Sequence, residues 1–115
     1  MSIQSKAFFV ADDEPIYPAG DRITRQFVGY NDNIMMVKVV FEKGAEGTPH
    51  SHPHVQTSYI ASGKFEVTVG GKKDILQTGD GFFVAPDVPH GCICLEAGII
   101  IDVFNPVRED FLAEI

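Results

Sequence analysis

Between Arg22 and Phe104 the chain is built from short runs rich in Val, Ile and Phe that Gly, Pro, Asn and Asp keep interrupting. Runs of this length and composition make strands. Lys64 to Val69 alternates cleanly, with Phe65, Val67 and Val69 opposed to Lys64, Glu66 and Thr68. Gly70-Gly71 then offers the positive φ angles of a tight hairpin into Lys72 to Leu76. Ile34 to Glu42 places Met35, Val37, Val39 and Phe41 on one face. Further strands are predicted at Arg22 to Tyr30, Val55 to Ile60, Gly81 to Val84, His90 to Leu95 and Ile99 to Phe104, after an irregular opening around Pro15 and Pro18. About eight strands in so short a chain favour an all-β closed barrel or jelly roll, since both limit exposed sheet edges. Pro106 to Ile115 has room for one short helix over a barrel mouth or an edge.

With 115 residues, 44% of them apolar, the chain can form one domain over residues 1–115 that buries roughly two-thirds of its unfolded surface. Sixteen acidic against nine basic residues give a net charge of −7, which repels a phosphate backbone and argues against nucleic acid as a partner. An anionic small substrate would need local cations to overcome that field, and Arg22, Arg25 and Lys38 are candidates whose reach the sequence leaves open. No apolar run approaches the ~20 residues of a membrane span, and a single Lys6 before Ala7 to Val10 makes a poor leader, so neither a membrane partner nor a signal peptide is expected. Cys92 and Cys94, two positions apart, share a strand face with poor geometry for bridging each other. They read as small buried hydrophobes in a reduced, cytoplasmic setting.

Three of the four histidines fall within His50-Ser51-His52-Pro53-His54-Val55-Gln56. Alternate residues of an extended chain share a face, so His50 and His52 can present two imidazoles to one ion, with Gln56 brought alongside by the next strand. His90, beyond the turns at Gly79-Asp80 and Pro86 to Pro89, can close the shell from a neighbouring strand. A lone histidine would read as a surface or core residue, but this spacing favours a divalent metal held by His50, His52, Gln56 and His90. The ligand types admit Zn, Ni, Fe, Co or Mn. Three neutral imidazoles and a neutral amide leave the ion's charge uncompensated, making it a strong Lewis acid. His54 is left three roles: lining the pocket, orienting a ligand, or facing water.

These spacings resemble the first cupin motif, G-x5-H-x-H-x3-E-x6-G, read as Gly44, His50, His52, Gln56 and Gly63, with Gln56 in place of the usual acid. A second cupin motif aligns on Gly79 and His90, but its Pro, Gly and Asn positions hold Ala85, Asp87 and Cys94. The resemblance implies a cupin double-stranded β-helix, a jelly-roll barrel with the short C-terminal helix, around one metal ion. A narrower resemblance lies in the His-Ser-His-Pro-His-x-Gln form of the first motif and the ending Asp-x-Phe-x-Pro-x-Arg-x-Asp-Phe-Leu from Asp102 to Leu112. Both are similar to the small cupins of pectin and alginate breakdown, which convert 4,5-unsaturated uronic acids into linear 5-keto-4-deoxyuronates. Val55 stands where that pattern has an acid. By this resemblance the substrate is an anionic sugar acid of either epimer, and Asp102, Phe104 and Arg108 are the catalytic or positioning set. Asp102 shares its strand face with Ile100 and Phe104, where a lone carboxylate must be paired, protonated or open to a cavity. An Asp102–Arg108 ion pair fastening the C-terminal segment is the bland alternative. Two rival functions stay open: a binding or sensory cupin without turnover, and a non-haem dioxygenase, the latter less favoured because the 2-His-1-carboxylate set is missing. Small cupins commonly pair, so a homodimer is expected, with the N-terminal segment adding a strand to a partner's edge.

Overall fold

The computed structural model describes residues 2–115. Its strands are β1 (Tyr17–Gly20), β2 (Ile23–Asn31), β3 (Ile34–Phe41), β4 (Glu46–His50), β5 (Val55–Val69), β6 (Lys72–Gln77), β7 (Gly81–Val84) and β8 (His90–Asn105), followed by the single helical turn α1 (Glu109–Leu112). All strands are antiparallel, in the order β1-β2-β3-β8-β5-β6, with β4 also on β8 and β7 also on β5. The sheet curls on itself, as the expected jelly roll requires. Among the described residues no helix is long and apolar enough to cross a membrane.

Two predicted breaks are absent. The runs Val55 to Ile60 and Lys64 to Val69 are one strand, β5, and the two runs from His90 to Phe104 are likewise one strand, β8. These long strands pair with each other from Val55↔Asn105 to Val69↔His90, with register shifts between Ile60 and Phe65. Gly63 takes φ +85°, and a Cβ there would stand 2.6 Å from the Gly98 Cα, while one on Gly98 would stand 2.1 Å from the Ser62 carbonyl oxygen. The glycines therefore mark a bulge where two backbones touch, which bends the strands without ending them. Two strands are additional to the sequence reading. Tyr17–Gly20 contains Pro18, which an edge strand tolerates because one of its sides has no ladder to supply. Glu46–His50 contains Pro49 and pairs irregularly with β8. The Gly70-Gly71 hairpin is as expected, with φ of 58° and 81°.

Alternation sorts the side chains. Met35, Val37 and Phe41 of β3 are buried, as the parity of that run demands. The interior has two clusters: one around Phe41, Ile60, Phe65 and Ile100, the other around Phe27, Met35, Val37, Phe104 and Val107. Each fully buried side chain of this size contributes about 1.5–3 kcal/mol over its exposed state. The last segment forms only one helical turn, seated by Phe111, whose ring meets Phe27 and Phe104 edge-on at 6.2 and 5.7 Å. Phe111 and the adjoining Arg108 border an interior cavity.

Candidate metal centre

β4 ends on His50, a four-residue link carries His52, β5 begins one residue before Gln56, and β8 begins with His90. Strand register brings them together: His50 is paired with His90, and Gln56 lies between Val84 and Phe104. The ligand-type nitrogens of His50, His52 and His90 all lie within 4.8 Å of one another. Metal–nitrogen bonds of about 2 Å would require these nitrogens to close by up to roughly 1.5 Å.

Each imidazole is oriented by the main chain. His50 Nδ1 donates to the Thr48 carbonyl at 2.9 Å, His90 Nδ1 to that of Val88 at 2.9 Å, and His52 Nδ1 to that of His54 at 3.0 Å. A carbonyl only accepts, so for His50 and His90 the proton sits on Nδ1 and Nε2 is left with a lone pair, whereas His52 has an oxygen acceptor at each ring nitrogen, the His54 carbonyl and Gln56 Oε1. Burial lowers the pKa of His52 and of His90, which favours the neutral, ligating form. The Nε2 of His90 is buried with no hydrogen-bond partner.

Gln56 lies beside the three imidazoles. Its Nε2 donates to Ser58 Oγ at 3.0 Å and to Asp102 Oδ1 at 3.3 Å, which turns its Oε1 toward His52 Nε2 at 3.0 Å. A neutral His52 has one proton for these two acceptors, so with that proton on Nδ1 an amide oxygen faces an imidazole lone pair, an arrangement that a cation touching both would relieve. Donor chemistry, tautomers and the unpartnered His90 nitrogen all fit a divalent ion at this point. His54 stands outside the trio. Its carbonyl orients His52, and its ring borders a separate depression with Asp32, Pro53 and Asp110.

The centre opens into a cavity of about 140 Å³ that touches both apolar clusters and is bordered by Asp102, Phe104, Arg108 and Arg25. Asp102 makes no ion pair with Arg108. Its Oδ1 instead accepts the Ser58 hydroxyl at 2.6 Å and the Gln56 amide. Arg108 forms a forked pair with Asp110 at 3.0 and 2.8 Å. Burial pushes the Asp102 carboxyl up, against the opposing pull of Ser58, Arg108 and Gln56. The Phe104 ring is edge-on to His52 at 5.7 Å and lies under the Arg108 guanidinium at 5.1 Å. Of the cations left open, Arg25 reaches the cavity, while Arg22 turns away to the carbonyls of Lys43 and Gly44. Lys38 is not among the cavity's lining residues. Cys92 borders the cavity and Cys94 is buried, both as free thiols. Ser58 was absent from the sequence reading. The parity of Gln56 and Ser58 on one strand face was the signal available for it.

A curled antiparallel sheet with a histidine cluster at one end of the barrel defines a class, and the chain belongs to the cupin family: the model of the cupin domain matches residues 37–104. Among individual proteins, it is 45% identical over 109 residues to the pectin degradation protein KdgF of Dickeya dadantii (strain 3937), spanning 93% of this chain and 99% of that protein. Of solved structures, an RmlC-like cupin from Shewanella frigidimarina NCIMB 400 superposes with a TM-score of 0.91 at 46% identity, covering 94% of this chain and 97% of the other. KdgF from Halomonas sp. follows at 0.88 and 36%, covering 93% and 99%.

Proposed function

We propose that the chain is a metal-dependent enzyme that opens 4,5-unsaturated uronic acid monosaccharides to linear 5-keto-4-deoxyuronates in pectin and alginate breakdown. His50, His52, Gln56 and His90 hold the ion, and Asp102, Phe104 and Arg108 act on the substrate. The observation that carries this reading is the Gln56 amide, which has its oxygen at the imidazole trio and its nitrogen at Asp102. A metal donor set and a buried proton carrier are thereby joined in one cavity. Near full-length similarity to a protein named for pectin degradation supports the substrate class.

The bound ion supplies Lewis acidity that stabilises oxyanion character on the opening sugar. The remaining steps belong to the chain. Asp102 takes the proton of the anomeric hydroxyl, the C1–O5 bond breaks as a carbonyl forms at C1, and O5 leaves as an enolate conjugated with the carboxylate. The proton returns to C4, and C5 becomes a ketone. The sequence is an isomerisation, with no oxidant and no atoms gained or lost. Burial raises the Asp102 pKa toward the range in which one carboxyl can both accept and release a proton. Ser58 holds that carboxyl in place at 2.6 Å. Arg108 receives the substrate carboxylate, for which a planar fork is suited, and Phe104 backs that guanidinium and excludes water.

In this reading the chain acts as one domain over residues 1–115, in the cytoplasm and as a homodimer. Exposed Met36, Tyr59 and Phe83, across the outer face of β3, β5 and β7, support a pairing surface. The test is the loss of the conjugated alkene's ultraviolet absorbance. Metal-loaded protein is expected to accelerate it over the spontaneous rate, and Asp102→Asn to abolish the acceleration with metal content intact. A fully active Asp102→Asn protein would refute the proton carrier.

A further inference from the structure

Arg25 interrupts an inward-facing row of β2. Ile23 and Phe27, its neighbours by alternation, are 4% and 5% exposed, and both lie in apolar clusters. Yet a guanidinium stands between them, bordering the cavity that also holds His50, Asp102 and Arg108. Placing a cation there is costly unless something anionic meets it. The partner present is Glu114, from the segment after α1, whose Oε2 accepts one hydrogen bond from Arg25 Nη1 at 2.7 Å. Among the described residues the other N–H groups of this guanidinium have no hydrogen-bond acceptor. A fork able to hold a carboxylate through two parallel bonds is therefore met through one.

Arg108 repeats the pattern. Both arginines lie over the Phe111 ring, at 3.9 Å for Arg25 and 4.1 Å for Arg108, and both are neutralised by carboxylates of the same last segment, Glu114 and Asp110. In a chain of net charge −7, two cations converge on one aromatic ring at the mouth of one cavity. The carboxylates that meet them come from a single helical turn and its tail. Such an element has little intrinsic stability, and a partly exposed ion pair to it exchanges cheaply.

We propose that Arg25 is a second anchor for the substrate's carboxylate, which takes the place of Glu114 on its guanidinium. The inference rests on the uronate reading above and adds to Arg108 a further residue by which the cavity selects an acid over its neutral counterpart. Arg25 recognises the ligand and carries no proton in the reaction.

The experiment is calorimetric titration of metal-loaded protein with D-galacturonate and with its methyl ester, neither of which has the alkene that turnover requires. Wild-type protein is expected to prefer the acid. Arg25→Gln should weaken the acid roughly tenfold or more, the weight of a charge-assisted hydrogen bond, and leave the ester unchanged. Arg25→Lys, which keeps the charge, should restore part of the loss. Glu114→Gln removes the internal competitor and should tighten the acid roughly two- to fivefold, in keeping with a partly exposed pair. That variant carries the test should Arg25→Gln fail to fold. Equal loss of acid and ester in Arg25→Gln, an unchanged Glu114→Gln, or a wild type without preference for the acid would each overturn the proposal. Turnover is read separately on the unsaturated uronates. Acid selectivity that follows Arg25 and Glu114 without any turnover sinks the enzymatic reading alone, whereas turnover with an unchanged acid-to-ester ratio sinks the anchor alone.

Discussion

Replacing Gln56 by a glutamate isolates what a neutral amide does in this cavity. The change restores the acid that the cupin motif usually has, and by ligand chemistry alone it should hold a divalent ion at least as firmly. Its second effect falls on Asp102. Gln56 Nε2 lies 3.3 Å from Asp102 Oδ1 and donates to it, so Gln56→Glu would set a second carboxylate oxygen where a donor now stands. At an effective dielectric of about 20, two negative charges at that separation repel by about 5 kcal/mol. A bound cation offsets part of this, but the lost hydrogen bond adds to it, and burial already pushes the Asp102 carboxyl up. Both contributions drive Asp102 further toward the protonated state. The variant should therefore keep its metal, measured by elemental analysis after dialysis, and lose about tenfold or more of the alkene-consuming rate at pH 7, each tenfold corresponding to about 1.4 kcal/mol in barrier. Activity should recover as pH rises and Asp102 ionises. A Gln56→Glu protein with the wild-type rate and an unchanged pH profile would show that amide and carboxylate are interchangeable here and that the Gln56–Asp102 coupling carries no catalytic weight.

Chelation should abolish turnover, and returning a divalent ion at a hundredfold excess over its dissociation constant should add about 2.7 kcal/mol of stability, read as a rise in Tm of several degrees. At Gly98, Ala would drive a methyl group to 2.1 Å from the Ser62 carbonyl, so Gly98→Ala should cost about 3 kcal/mol or more in urea unfolding, or fail to fold. Burial pushes the Cys92 thiol up to about 12, so at pH 8 roughly one molecule in ten thousand carries its thiolate. Iodoacetamide should spare Cys92 in the native protein, gain reactivity only as pH climbs toward that value, and label it promptly in urea.

Much of the fold was legible in advance because strand parity and glycine pairs are local. Phe65, Val67 and Val69 alternate with polar residues, and the Gly70-Gly71 hairpin follows from φ angles that glycine alone adopts cheaply. Gly63 and Gly98 misled for the converse reason. Local rules read an isolated glycine as an end, but here each makes room for the other strand's backbone, a demand set by a residue dozens of positions away. The histidines and Gln56 were visible through spacing, and Asp102 through its incongruity among isoleucines. Ser58 and Arg25 were harder to see. A serine in a strand has many innocent explanations, and whether an arginine points inward depends on register with β3, which Thr24 and Arg25 do not announce. The pairing of Arg108 with Asp110 in place of Asp102 likewise depends on how one helical turn settles on Phe27 and Phe104.

The carbonyls that hold the three imidazoles belong to Thr48, His54 and Val88, and none of those contacts uses a side chain. The orientation of these imidazoles is thus insulated from mutational drift at their neighbours, since replacing Val88 or Thr48 leaves the acceptor untouched. Side chains at those positions can therefore change while the imidazoles stand as they are, as long as the peptide planes that carry the oxygens keep their tilt.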